Sequence, residues 1–306
     1  MMRCRDLTVQ ITNRCNLNCD YCFANSNSTK QELSVNEIKK AIDAINPRRI
    51  AFSGGEPLLR QDDVVSLLPY VYENIGFPTK GIRIETNGTH KIMFDEYQKN
   101  GDVSGFQFNL SLDGFKDIND LQRGDGTFDK VVGNAKELVE RGYWTTIKST
   151  FDDDILINHI DYLYDFAKFC REEIGLLRIR FGNVKNSGRG SRIIDESYIE
   201  TIEKIKANIN SVNDMVEKDT GYISPDGKPF LTIAVCDSCS YNRNDLVLRT
   251  DGIINLECVF LNIPLCHYTK YTPNLHEMGQ LIMKTLDMGG KNNMRYDMSY
   301  RKTVFG

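Results

Sequence analysis

No run of apolar residues in this chain is longer than a strand, which excludes a membrane-spanning helix. The start, Met1-Met2-Arg3-Cys4-Arg5-Asp6, lacks the apolar centre of a signal peptide. Positive charge is not in excess: 38 Lys and Arg stand against 42 Asp and Glu, for a net charge of −4, so no basic field invites nucleic acid. Histidine is scarce, and His90, His159, His267 and His276 have no metal-ligand spacing, although His267 adjoins a cysteine. There is one tryptophan, Trp144, which starts an expected strand and reads as core. Repeats and low-complexity tracts are absent, which excludes a solenoid. What remains is an ordinary globular composition, 41% hydrophobic and 26% charged over 306 residues. That length suits one large domain with an extension, or two domains. A cytoplasmic location is expected, where cysteines stay reduced.

Nine cysteines are present, and seven of them are grouped. Cys15, Cys19 and Cys22 stand in Thr12-Asn13-Arg14-Cys15-Asn16-Leu17-Asn18-Cys19-Asp20-Tyr21-Cys22-Phe23, a C-x3-C-x2-C spacing. Three thiolates hold three irons of a [4Fe–4S] cube and leave the fourth iron open to a small molecule. Zinc is the alternative, but it normally takes four ligands, and no His or Cys lies in the next forty residues or so. A C-x-x-C redox pair with a bystander is the third reading. The second group is Cys236-Asp237-Ser238-Cys239, then Cys258 and Cys266. Between them, two short apolar runs flank Asp251-Gly252 and read as a hairpin that returns Cys258 towards Cys236 and Cys239. Spacing alone leaves zinc and iron–sulfur open there. Cys170, late in an expected amphipathic helix, reads as a small core hydrophobe.

Hydrophobic periodicity predicts strands at 7–12, 49–52, 81–86, 105–111, 144–150 and 176–182. Helices are expected at 34–45, 62–73, 90–99, 128–141, 155–173 and 195–210, the first opened by the capping box Ser34-Val35-Asn36-Glu37. Six β-α units in series predict an α/β fold, a parallel sheet curled into a partial (β/α)6 TIM-like barrel over 1–210. Residues 211–306 break the alternation and are expected to form a small β-hairpin/helix extension carrying a second metal site. Residues 183–192 are rich in Gly, Ser and basic side chains and read as a loop or a substrate-facing or phosphate-binding lid. Three polar motifs fall at strand ends, where barrels carry their sites. They are Gly54-Gly55-Glu56-Pro57, Thr86-Asn87-Gly88 and Ser111-Leu112-Asp113-Gly114. Each alone is ordinary turn chemistry; the ordered set is not.

The cysteine loop with Tyr21 before its last cysteine, followed in order by those three motifs, resembles the radical S-adenosylmethionine (radical SAM) superfamily over about residues 7–182. The resemblance implies that Cys15, Cys19 and Cys22 hold a [4Fe–4S] cluster. Tyr21, Gly54, Gly55, Glu56, Pro57, Thr86, Asn87, Ser111 and Asp113 are then the SAM-site residues. It implies reductive cleavage of SAM to a 5′-deoxyadenosyl radical that takes hydrogen from a peptide or small molecule. A reductant such as flavodoxin or ferredoxin supplies the electron. Cys236, Cys239, Cys258 and Cys266 resemble a SPASM/twitch-type extension holding an auxiliary [4Fe–4S] cluster that accepts an electron or anchors substrate. No leader-peptide domain is expected before residue 7, which weakens a large ribosomal-peptide substrate. The molybdenum-cofactor GTP cyclase is a more distant likeness, but its arginine positions look like Ala51, Thr8 and Leu246-Val247-Leu248 here, and its terminal Gly-Gly is missing. The reading of another class is a non-catalytic iron–sulfur or zinc module. No residue is singled out by spacing as a general base.

Overall fold

The computed structural model describes residues 4–75, 81–99, 105–176, 178–184, 189–190, 196–220, 231–233, 245–256, 264–275 and 277. Alternation begins with β1 (Asp6–Thr12), α1 (Val35–Ile45), β2 (Arg49–Gly54), α2 (Gln61–Ile75) and β3 (Ile82–Thr86). It continues through α3 (Phe94–Lys99), β4 (Phe106–Ser111), α4 (Lys116–Arg123), α5 (Thr127–Glu140) and β5 (Trp144–Phe151). Next come α6 (Asp153–Asn158), α7 (Ile160–Glu172), β6 (Ile179–Asn183) and α8 (Glu196–Thr220). Four further strands are β7 (Leu231–Ile233), β8 (Asp245–Leu248), β9 (Ile253–Leu256) and β10 (Pro264–His267).

Local chemistry accounts for many boundaries. The Ser34 side chain accepts from Glu37 N while Glu37 Oε2 accepts from Ser34 N at 2.9 Å, so two orphan donors of α1 are satisfied reciprocally. Ile38, Ala41, Ile42 and Ile45 form the buried stripe, and left-handed Asn46 ends the helix. The single helix expected over 155–173 is instead two. Asp152 caps α6, and His159 at φ −123°, ψ 53° breaks the helical path before α7. The helix expected over 90–99 forms only from Phe94, and α8 passes through 210 to Thr220. Helix α4 has no sequence signal because its only buried residue is polar Asn119, which leaves no apolar stripe to read.

The sheet order is β10-β9-β8-β1-β2-β3-β4-β5-β6-β7. Strands β1 to β7 are parallel and adjacent in chain order, so right-handed crossovers place the helices on one face and curl the sheet around the other. The sheet is larger than the six strands expected. β7 adds beside β6, and β8 adds in parallel beside β1, with Asp6 opposite Asp245. β9 and β10 then continue antiparallel, so the hairpin read from Asp251-Gly252 extends the barrel sheet itself. The barrel stays open, with β7 and β10 as its edges among the described residues.

Alternation along each strand gives the two faces opposite chemistry. The outer face buries Leu7, Val9, Ile11, Phe52, Ile84, Phe106, Phe108, Leu110, Phe151 and Phe181 under the helices. Tyr97 of α3 wedges edge-on between Phe106 and Phe108, at 5.7 and 5.5 Å between centroids. Cys170 is fully buried in this core, as expected. The inner face carries Gln10, Ser53, Arg83, Glu85, Gln107, Asn109, Ser111, Thr146, Lys148 and Arg180, in register across the strands. A closed barrel is usually filled with Val, Ile and Leu; this interior is polar and lines a chamber. Trp144 belongs to the chamber rather than the core, in register with Gln107 and with the Arg178 guanidinium 5.6 Å from its ring centroid. At the N-terminal end, Asp6 takes Arg49 at 2.6 Å and Arg5 at 3.1 Å, and Arg5 reaches Asp245 at 2.7 Å. These pairs tie β8 to β1 and β2 at the chamber floor.

Candidate functional site

The cysteine loop leaves β1 at the C-terminal edge of the sheet, and β2 holds it through backbone contact. Gly55 N donates to Thr12 O at 2.8 Å, and Glu56 N donates to Arg14 O at 2.8 Å. A Cβ on Gly54 would lie 2.0 Å from Thr12 O, and one on Gly55 would lie 2.2 Å from Arg14 O. Gly54 also sits at φ +140°. The paired glycines are therefore demanded first by the loop's own backbone, before any ligand is considered. Arg60, at the end of the same motif, donates from Nη1 to Ile11 O at 2.5 Å and Leu33 O at 2.9 Å, which fastens both ends of the loop. Asp63 steadies that guanidinium at 2.6 Å.

Within the loop Asn27 braces Cys15, accepting from its N–H at 2.9 Å and donating to its carbonyl at 3.2 Å. Cys15, Cys19 and Cys22 are free thiols, each half-buried. Donors already face two of the sulfurs: Leu17 N at 3.4 Å and Asn87 Nδ2 at 3.7 Å on Cys15, and Ser26 Oγ at 3.2 Å from Cys22. Burial pushes the Cys15 and Cys19 thiols up. Burial acts the same way on Cys22, but hydrogen bonds from Ser26 and Ala24 and the Arg189 charge outweigh it, and its thiol lies below the ordinary value. Among the described residues no three His, Cys, Asp or Glu side chains converge on a point that a single metal ion would occupy. A cube needs no such convergence, because each thiolate takes its own iron, and N–H···S donors are what a cluster requires around it. The residues present fit a [4Fe–4S] group.

The three strand-end motifs meet at this loop. Glu56 is fully buried: Oε1 accepts from Leu58 N at 2.9 Å and Thr86 Oγ1 at 2.6 Å, and Oε2 accepts from Asn87 N at 2.7 Å. Burial pushes its carboxyl up to about 6, against the opposing pull of those three donors. Pro57, also buried, opens the short helical turn that Glu56 caps. Asn87 continues the chain of contacts, donating to Asn16 Oδ1 at 2.8 Å and towards Cys15, while Asn16 reaches Thr89 at 2.9 Å. Ser111 ends β4 beside this network, partly exposed to the chamber. Asp113, fully buried, accepts from Thr150 N at 2.7 Å, from Arg123 Nε at 2.6 Å and from the Tyr21 hydroxyl. The Arg123 guanidinium also lies 5.6 Å from the Tyr21 ring centroid. Burial and the Asp113 charge together push the Tyr21 phenol far above its ordinary value. Asp113 thus fixes the aromatic residue of the cysteine loop from beneath.

Arg60, Arg123 and Arg189 are site residues that sequence reasoning did not assign. Arg189 belongs to the 183–192 segment. It donates from N to Cys22 O at 2.8 Å, from Nε to Cys19 O at 3.0 Å and from Nη1 to Ser26 O at 2.9 Å. It grips the cysteine loop, where the sequence suggested a loop or lid. The motif Gly54-Gly55-Glu56-Pro57-Leu58-Leu59-Arg60 carried a signal for Arg60; nothing local marks Arg123 or Arg189. Cys236, Cys239 and Cys258 lie outside the described residues. Cys266 sits on β10 opposite Ile254, half-buried, and burial raises its thiol. His267 Nδ1 pairs with Thr269 Oγ1 at 2.9 Å. A cleft of about 460 Å³ borders the cysteine loop on its outer side, between Asn16, Leu17, Asp20 and the α4–α5 turn, with Leu121 at its rim 86% exposed.

A sequence profile described as the radical SAM superfamily matches residues 9–167. The Fe-coproporphyrin III synthase of Methanosarcina barkeri is 30% identical over 238 residues, 75% of this chain and 55% of that protein. The mycofactocin maturase MftC of Mycolicibacterium smegmatis is 29% identical over 199 residues, 63% of this chain and 47% of that protein. A probable GTP 3′,8-cyclase of Methanothermobacter thermautotrophicus is 31% identical over 192 residues, 56% of each chain. The chain thus spans about half the length of the curated relatives it matches. Streptococcus suis SuiB bound to S-adenosylmethionine shares the fold, with a TM-score of 0.67 and 16% identity over 91% of this chain and 68% of that one.

Proposed function

This chain belongs to the radical SAM superfamily, and from that premise we propose that it cleaves SAM reductively and abstracts hydrogen from a peptide or small-molecule substrate. A [4Fe–4S] cluster on Cys15, Cys19 and Cys22 would, when bound, supply the open iron for SAM and the electron that splits it into methionine and a 5′-deoxyadenosyl radical. The observation that carries the reading is the side-chain link from the strand ends into the cysteine loop. Asn87 touches Cys15, Glu56 fixes Asn87, and Asp113 fixes Tyr21. The chain's own part is orientation. Gly54 and Gly55 set the loop height, Glu56 holds the Thr86-Asn87 turn, and Ser111 presents a hydroxyl to the chamber where the cofactor would lie. The polar inner face then receives the substrate out of bulk water.

An electron carrier such as flavodoxin or ferredoxin would approach the loop from outside, where the cleft beside Leu17 and exposed Leu121 borders it. The auxiliary cluster is assigned to Cys236, Cys239, Cys258 and Cys266, with 211–306 as its region. The β8–β9 hairpin supports this, since Arg249 N bonds Ile253 O at 2.9 Å and the turn returns the chain towards β10 and Cys266. A GTP-cyclase-like activity is the weaker reading, because Thr8 and Ala51, paired across β1 and β2, stand where the resemblance to that family implies arginines.

Anaerobically reconstituted protein given SAM and dithionite is expected to release 5′-deoxyadenosine and methionine. A fully iron-loaded protein that leaves SAM intact would establish the non-catalytic module instead. Deuterated peptide and small-metabolite fractions then sort the substrate class by label in 5′-deoxyadenosine.

A further inference from the structure

Arginines close to the cysteine loop differ in what they meet. Arg14 pairs with Glu32 at 2.9 Å, Arg60 with Asp63 at 2.6 Å and Arg123 with Asp113 at 2.6 Å, so each of these charges has a carboxylate beside it. Arg189 is held otherwise. Among the described residues its guanidinium meets only carbonyl oxygens, Nε donating to Cys19 O at 3.0 Å and Nη1 to Ser26 O at 2.9 Å. Its backbone N–H donates to Cys22 O at 2.8 Å, which brings Arg189 against two of the three cysteines of the loop. Carbonyls satisfy the donors and leave the charge in place.

Stapling a loop does not require that charge. Elsewhere in this fold neutral amides do the same task. Asn134 Nδ2 donates to Gly88 O at 2.7 Å and His90 O at 2.9 Å, and Asn27 Nδ2 donates to Cys15 O at 3.2 Å. A half-buried guanidinium adds a desolvation cost that an amide avoids, and what it adds in return is a positive charge. The charge falls on one side of the loop. Burial pushes the Cys22 thiol up, yet hydrogen bonds from Ser26 and Ala24 with the Arg189 charge bring it below its ordinary value. Burial also raises the Cys15 thiol, and there the Glu56 charge adds to the rise. On Cys19 burial again raises the thiol, and the pull of Arg123 is opposed by Asp113.

A charge fixed in this place acts on reduction of the cluster proposed above. One electron arrives from a carrier of the flavodoxin or ferredoxin class, which is oxidised by that electron, and no bond forms or breaks. The same three thiolates then surround one more negative charge. A cation beside them stabilises the reduced state more than the oxidised one and so raises the reduction potential.

From this arrangement we infer that Arg189 is a positioning residue for electron entry, its charge raising the potential of the cluster from the Cys19 and Cys22 side of the loop. The inference rests on the proposed function, which supplies the cluster, and adds a residue that controls its reduction.

The test is a redox titration of the anaerobically reconstituted full-length protein with dithionite and mediators, without SAM, followed by electron paramagnetic resonance. The signal of this cluster is the one missing when Cys15, Cys19 and Cys22 are all replaced by Ala. Arg189→Gln keeps a neutral amide donor and removes the charge. It is expected to make reduction about tenfold less favourable, which for one electron is about 59 mV. Arg189→Lys keeps the charge without the guanidinium fork and is expected to hold the wild-type potential. Iron and sulfide are measured alongside. An iron-loaded Arg189→Gln protein with the wild-type potential overturns the inference. An equal fall in both variants also overturns it, because the fork rather than the charge would then be responsible. Should Arg189→Gln fail to load iron, Arg189→Lys decides: the wild-type potential supports the inference and a lowered one ends it. The titration does not depend on SAM cleavage. Absent 5′-deoxyadenosine, with the signal present and shifted as expected, would count against the proposed function and leave this inference standing.

Discussion

At the scale of single residues, Glu56 shows how a motif residue works through its neighbours. Its carboxylate satisfies three donors that would otherwise be buried without partners, each worth about 1–3 kcal/mol if orphaned. It does so at a desolvation cost visible in a carboxyl raised from 4.5 to about 6. A carboxyl whose folded value lies above its unfolded one binds protons more readily when folded. Its stabilising share is complete below about pH 4.5 and is lost as pH rises through about 6. Glu56→Gln removes that titration. Relative to the variant, the wild type is expected to lose ~2 kcal/mol between pH 4.5 and 7, read from urea midpoints. A pH-independent difference would mean that the carboxyl titrates normally. Asp113 and Arg123 follow the other rule for buried charge: they are paired, with side chains 0% and 8% exposed.

Among the elements, the cysteine loop owes its shape to parts of the chain distant in sequence. Backbone bonds to Gly55 and Glu56, the Arg60 staple and the Arg189 grip all come from elsewhere. Gly55 has no room for a side chain, because a Cβ there would meet the Arg14 carbonyl at 2.2 Å and neither backbone can give way. Gly55→Ala is therefore expected to keep the far-UV circular dichroism of the wild type and to lose most of its reconstituted iron and sulfide. Full iron loading in that variant would show that the loop tolerates displacement. The α6–α7 break is an element-scale feature of a different kind, set locally where Asp152 caps α6 and His159 leaves the helical path before α7.

At the scale of the whole molecule, a single ten-stranded sheet joins the barrel to the C-terminal hairpin. Arg5 bridges Asp6 and Asp245 across the β1–β8 seam, so the segment bearing Cys266 is fixed to the first strand of the barrel. The proposed auxiliary cluster on Cys236, Cys239, Cys258 and Cys266 shares no cysteine with the first and would assemble independently of it. Replacing Cys15, Cys19 and Cys22 together by Ala is expected to leave about half the iron and sulfide, four irons per remaining site. Zinc in place of sulfide in that variant would identify a zinc site at the second cysteine group.

The sequence by itself determined the strand–helix series, the cysteine loop and the three strand-end motifs, because each rests on local periodicity or short spacing that survives without tertiary contacts. It marked Gly54, Gly55 and Glu56 as special without showing what they touch. Tertiary structure alone decided the rest. β8 joins β1 in parallel across more than two hundred residues, Arg123 and Arg189 come under the cysteine loop, and Trp144 turns into the chamber. The reason is physical. A strand's two faces look alike in sequence until the crossovers choose which one the helices cover. A lone arginine carries no spacing that reveals the carboxylate or carbonyls it will meet.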